Sequence, residues 1–182
     1  MRSQRIGKYA CLETERRYLL KKIPDGLLEN INGWLITDRY FPNTRLRLRH
    51  MKSASGNENI YKLTQKYRSE TQNADETTIT NLYLTEEEYN QLGALEAKII
   101  KKKRYPYGVH HHHFSIDIFA GRHQGLILAE MEFEKGSELS EFALPLFALK
   151  DVTDDPFFTG GHLVIVTDEE FKEGLSRRIR DH

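Results

Sequence analysis

Thr44-Arg45-Leu46-Arg47-Leu48-Arg49 sets an arginine at every second position. Successive side chains of an extended strand point to opposite faces, so Arg45, Arg47 and Arg49 share one face and Leu46 and Leu48 the other. Further stretches alternate in the same way. Glu13, Glu15 and Arg17 oppose Leu12, Tyr18 and Leu20. Lys62, Thr64 and Lys66 share a face, as do Lys102 and Arg104. Glu130 and Glu132 alternate with Ala129, Met131 and Phe133. A half-solvated antiparallel strand also alternates. Its wet face usually mixes signs, because like charges spaced two apart repel. Here arginines gather on one strand and glutamates on another, which predicts a ligand with charge of its own.

A closed antiparallel barrel accommodates this pattern, with charged faces inward and apolar faces outward beneath helices. Such a lumen needs anions for its Arg and Lys and cations for its carboxylates, since buried unpaired charge is costly. A polyphosphate chelating a divalent metal meets both needs. Arg grips phosphate oxygens as a fork and Lys as a point charge. Clustered carboxylates suit Mg²⁺ or Mn²⁺, hard cations that prefer oxygen.

The remaining sequence fits one domain over residues 1–182. The fold class expected is α+β: an eight-stranded antiparallel barrel with a polar, charged lumen and helices packed outside. The strands predicted by alternation are Tyr9–Leu20, Thr44–Lys52, Ile60–Tyr67, Thr77–Leu84, Ile99–Tyr105, His113–Phe119 and Leu126–Glu134. Thr85 with Glu88, and Thr167 with Glu170, have capping-box spacing for helices carrying Tyr89, Leu92 and Leu95, and Phe171, Leu175 and Ile179. Another helix is expected from Ser137 to Pro145, with a weaker signal over Pro24–Ile31. Lys52–Asn59 and Arg68–Glu76 read as loops. Trp34 and Phe157-Phe158 read as core.

The same residues resemble the CYTH family of triphosphate tunnel metalloenzymes, which includes adenylyl cyclases, thiamine triphosphatases, inorganic tripolyphosphatases and RNA triphosphatases. Glu13-Thr14-Glu15-Arg16-Arg17 is similar to its Glu-x-Glu-x-Lys strand, and Arg47-Leu48-Arg49 to its Arg-x-Arg strand. Leu63-Thr64-Gln65-Lys66 and Lys102-Lys103-Arg104-Tyr105 resemble two further motifs. Asp117-Ile118-Phe119-Ala120-Gly121 followed by Glu130-Met131-Glu132 resembles another, and Val152-Thr153-Asp154-Asp155 a late one. The likeness runs in order from about Cys11 to about Leu163. It implies a barrel whose lumen binds triphosphate and metal. Three departures stand out. Arg17 occupies a lysine position, Thr77-Thr78-Ile79-Thr80-Asn81 replaces a strand that usually adds acids, and Phe157-Phe158-Thr159-Gly160 replaces an Arg-Tyr-x-Asn stretch.

The resemblance implies catalytic roles for Glu13, Glu15, Arg17, Glu130 and Glu132. Metal ligation falls to Glu13, Glu15, Glu130 and Glu132, and substrate binding to Arg47, Arg49, Lys66, Lys102 and Arg104. Parity turns Lys101 and Lys103 outward, and Asp117 is expected to brace a lumen cation. The expected activity is Mg²⁺- or Mn²⁺-dependent hydrolysis of inorganic tripolyphosphate or a nucleoside triphosphate. The alternatives are a catalytically weak polyphosphate- or nucleotide-binding module and an adenylyl cyclase. No pocket for a nucleotide base is legible.

Several classes are excluded at this stage. Lys plus Arg and Asp plus Glu are both 27, which argues against general nucleic-acid binding. No apolar run approaches a membrane span, and no apolar segment follows the basic start. The single cysteine, Cys11, forbids an intrachain disulfide and suggests a cytoplasmic setting. His110–His113 reads as a hairpin turn entering a strand, since alternate histidines point apart. A homodimer is compatible with a barrel of this size, though no long exposed apolar edge stands out.

Overall fold

Each alternating stretch forms a strand in the computed structural model, which describes residues 8–67, 76–133 and 143–180. The strands are β1 (Cys11–Leu19), β2 (Trp34–Tyr40), β3 (Leu46–Ser53), β4 (Asn59–Tyr67), β5 (Glu76–Leu84), β6 (Lys98–Val109), β7 (His112–Ala120), β8 (Ile127–Phe133) and the short β9 (Lys150–Asp151). The helices are α1 (Glu86–Gly93), α2 (Gly160–Leu163) and α3 (Asp168–Arg180). Neighbours run in the order β5-β4-β3-β2-β6-β7-β8-β1, and pairing of β1 with β5 closes the ring. All of these pairings are antiparallel. On its remaining edge, β1 pairs first with β5 and then, through Tyr18 and Leu19, with β9. Closure leaves the eight strands of the ring without a free edge.

Register carries the charges to one side. Arg17 faces Glu130 and Glu15 faces Glu132. Asp38 faces Arg49, Arg47 faces Thr64, and Arg104 faces Asp117. Residues opposite one another in an antiparallel pair project to the same face, so these groups share the lumen. Lys101 and Lys103 are exposed while Lys102 between them is buried, as parity predicts.

Two apolar clusters flank the lumen. On the outside, Tyr18, Tyr105, Phe114, Ile116, Ala129 and Met131 pack beneath Leu27, Phe147 and Ala148. The second cluster closes one end of the barrel. Leu19, Ile100, Phe119 and Leu128 continue the lumen faces of their strands and meet Phe157, Phe158, Leu163, Phe171 and Leu175. This chain-terminal plug makes the tunnel blind at that end. Fully burying each such side chain is worth roughly 1.5–3 kcal/mol. α3 is fixed by a reciprocal cap between Thr167 and Glu170, and by Arg178, which grips Asp155 and stacks 4.1 Å from the Phe157 ring. α1 has the expected Thr85–Glu88 capping box.

Some expectations need correction. Trp34–Tyr40 is a strand that alternation did not reveal, because polar and apolar residues occur on both its faces. Trp34 is half-buried on the lumen face rather than in the core. Pro24–Ile31 holds only a 3-10 turn at Leu27–Glu29. Leu95 lies beyond α1 and is exposed. Lys52 and Asn59 belong to strands rather than the loop between them. The helix expected from Ser137 falls mostly outside the described residues, as does most of Arg68–Glu76.

Candidate active site in the barrel lumen

The lumen holds an ion-pair chain of alternating sign. Lys66 Nζ donates to Glu13 Oε2 at 2.5 Å and to Glu15 Oε1 at 3.2 Å. Arg17 donates through Nη2 to Glu15 at 2.7 Å and through Nε to Glu130 at 3.3 Å. Arg104 reaches Glu130 at 2.5 Å and forks onto Asp117 at 2.7 and 2.6 Å. Lys102 also donates to Asp117, which is fully buried. A separate group lies on β2 and β3. Arg49 forks onto the buried Asp38 at 2.6 and 2.7 Å, and Arg47 Nε lies 3.7 Å from the same carboxylate.

Burial and pairing set the protonation states. Burial opposes charge on Glu130, yet Arg104, Lys102, Arg17 and Lys66 together hold its carboxyl well below the usual range. Burial likewise opposes Asp38, and Arg49 with Arg47 overcomes it, keeping Asp38 ionised far into acid. Burial also works against the Arg17 and Arg104 cations, but their carboxylate partners keep both firmly charged.

Two regions are left with excess charge. Lys62 is pushed down by burial and then by Arg49, Arg47 and Arg104. Arg47 Nε is buried with no hydrogen-bond partner among the described residues. This side of the lumen is short of anions. On the other side Glu132 is pushed up by burial and then by Glu13 and Glu15. It stands exposed at the rim, so parity placed it correctly but gave no information about depth.

All the predicted site residues therefore lie on the lumen face. Among the described residues, no three acidic, imidazole or thiol groups converge closely enough to hold a metal ion as they stand. Lys66, Arg17 and Arg104 sit between the carboxylates instead. Thr77, Ile79 and Asn81 face the lumen where the resemblance implies acids, and Thr64 donates to Asn81 at 2.8 Å. Asp117 braces two cations as expected.

Sequence reasoning missed Asp38, the counterpart of Asp117 for Arg49 and Arg47. It also missed Tyr40, whose hydroxyl would clash with a side chain at Gly160 of the plug. Burial, followed by Asp38, raises the Tyr40 phenol. A strand at Trp34–Tyr40 would have exposed both residues. The arginine strand needed an antiparallel neighbour, and only this segment precedes it closely.

No family model matches the chain, and no curated protein matches it. Solved structures do. The crystal structure of the inorganic triphosphatase NE1496 matches with a TM-score of 0.57 and 23% identity, covering 85% of this chain and 95% of that one. A second structure of NE1496, described as a hypothetical protein, matches with the same score and identity and is covered over 98% of its length. The likeness bears out the tunnel barrel that the motifs imply.

Proposed function

We propose that this chain is a triphosphatase of the triphosphate tunnel type, which hydrolyses a triphosphate inside its barrel with a divalent cation. The observation that carries the reading is the division of charge in one lumen. Arg47, Arg49, Lys62, Lys102 and Arg104 leave an anion deficit on one side, and Glu132 faces Glu13 and Glu15 on the other. The fold shared with the triphosphatase NE1496 supports it.

In this reading Arg47 and Arg49 take phosphate oxygens, held in orientation by Asp38. Lys102 and Arg104 do the same, held by Asp117. Forked arginines preset in this way stabilise the charge that builds on the transferring phosphoryl group. Water forms a bond to the terminal phosphorus as the bridging P–O bond breaks. The bond's electron pair leaves on the diphosphate oxygen, and the water's proton is released. Glu13, Glu15, Glu130 and Glu132 would hold Mg²⁺ or Mn²⁺. Their hard oxygen donors suit either ion, and the mutual repulsion at Glu132 favours a cation there. A bound divalent ion would supply charge neutralisation and polarise a phosphoryl oxygen. The described residues contain no helix long and apolar enough to cross a membrane. Exposed, unpaired Cys11 supports a cytoplasmic setting.

The test is phosphate release from tripolyphosphate and from ATP, with Mg²⁺, with Mn²⁺ and with chelator. Release that depends on the metal is expected. A second reading, a binding module with little turnover, is favoured by Arg17 in place of lysine and by Ile79 and Asn81 in place of acids. Tight calorimetric binding of tripolyphosphate without release would select it.

A further inference from the structure

β2 brings an apolar strip alongside the charged groups of the lumen. Trp34 and Ile36 lie on its lumen face, opposite Arg104 and Lys102 of β6. Met51 pairs with Ile36 on one side and Ile60 on the other, so the strip spans β2, β3 and β4. Ile36 is buried, but Trp34, Met51 and Ile60 keep part of their surface accessible. Arg49 and Lys62 border the strip, and Lys62 Nζ lies 5.5 Å from the ring of Tyr83 on β5. The strip lies towards the end of β2 opposite Tyr40, which packs against the plug.

We propose that this strip is a subsite for the organic part of the substrate, a flat unsaturated ring esterified to the triphosphate as in a nucleoside triphosphate. The inference rests on the triphosphatase reading and adds the class of substrate to it. Charge complementarity fixes the direction. The phosphates occupy the Arg and Lys groups. The plugged end is filled by Phe157, Phe158 and their neighbours, so the ester end must point to the mouth, where the strip begins. A ring there stacks on the Trp34 indole and covers Met51 and Ile60. The strip carries no hydrogen-bonding side chain apart from the indole N–H. It therefore distinguishes a ring from no ring and reads little of the ring's edge.

Trp34 is the only tryptophan of the chain, so its emission reports on this subsite alone. The experiment titrates the Mg²⁺-loaded full chain with ATP and with inorganic tripolyphosphate, with occupancy followed by calorimetry. ATP is expected to change the emission saturably, and tripolyphosphate far less at equal occupancy. Trp34→Leu keeps an apolar side chain on β2. It should raise KM for ATP about tenfold, at the modest end of base–aromatic stacking, and leave KM for tripolyphosphate unchanged. Met51→Gln is a second variant, expected to act in the same direction if Trp34→Leu fails to fold. Equal effects on both substrates, no effect on either, or an ATP titration that leaves the emission unchanged would overturn the subsite. If the wild type neither binds nor hydrolyses either compound, the triphosphatase reading itself fails.

Discussion

Replacing Asp38 with Asn removes one negative charge from a fully buried position while keeping the side chain's shape. Arg49 loses the charged acceptor of bonds at 2.6 and 2.7 Å, and Arg47 loses its counter-charge at 3.7 Å. Removing one partner of a buried pair costs roughly 3–5 kcal/mol, because the remaining charge is left uncompensated. Typical domains have about 5–15 kcal/mol in total, so the loss is a large fraction. With a urea slope of about 2 kcal/mol/M the midpoint should fall by about 2 M. The linkage sign follows from Asp38 being held far below its ordinary pKa, against burial, by Arg49 and Arg47. Its contribution is complete above the unfolded value of about 3.9 and is lost as the pH falls below that. The gap between wild type and variant should therefore be widest near neutrality and shrink in acid. Tripolyphosphate should restore more stability to Asp38→Asn than it adds to the wild type, because the ligand supplies the missing anion to the same arginines. An unfolding free energy within about 0.5 kcal/mol of wild type would refute the argument that Asp38 compensates buried cations. Equal stabilisation of both proteins by tripolyphosphate would show that Arg47 and Arg49 do not face the bound anion.

Arg49→Ala should lower kcat/KM about 10²–10³-fold, as loss of a preset donor to developing charge does, and Arg49→Lys should recover only part because the fork is gone. Arg17→Lys should keep activity and Arg17→Ala should lose it, with no new basic limb in the pH–rate profile of either; a large gain in kcat from Arg17→Lys would favour the binding-module reading. Glu132→Gln should stabilise the metal-free protein at pH 7, by roughly 1 kcal/mol or less at so exposed a position. Because the Glu132 carboxyl is raised, its charged form is the disfavoured one, so this gain should vanish in thermal melts below about pH 4. Glu132→Ala should also abolish the divalent-ion dependence of phosphate release; wild-type turnover in that variant would remove Glu132 from the ligand set.

What the sequence revealed was parity, and what it hid was depth and partners. Alternation on Arg47 and Arg49, on Lys102 and Arg104, and on Glu130 and Glu132 was enough to turn these groups inward and Lys101 and Lys103 outward. It misled at Arg45, which precedes β3, is exposed and stacks 4.5 Å from the ring of Tyr67, a residue of opposite parity to Lys66. It could not separate rim from interior, so Glu132 and Glu130 looked equivalent. One is an exposed carboxylate repelled by its neighbours, and the other is gripped by Arg17 and Arg104. The strand Trp34–Tyr40 escaped because its lumen face carries Trp34, Ile36, Asp38 and Tyr40 while its outer face carries Leu35, Thr37 and Arg39. Neither face has a single character for period two to reveal. With that strand went Asp38 and the apolar strip. Phe157 and Phe158 were legible as core, but only the folded chain shows that this core stops one end of the tunnel.

The central claim is that the lumen face, and not the charged surface generally, works on the triphosphate. Residues Lys101 to Arg104 on β6 test it most directly, because neighbours on one strand alternate between outside and lumen. Each is replaced in turn by alanine, and metal-dependent phosphate release is measured for every variant. Lys101→Ala and Lys103→Ala should keep wild-type kcat/KM, while Lys102→Ala and Arg104→Ala should lose about a hundredfold or more. Losses that ignore this alternation, or no loss at Lys102 and Arg104, would contradict the account.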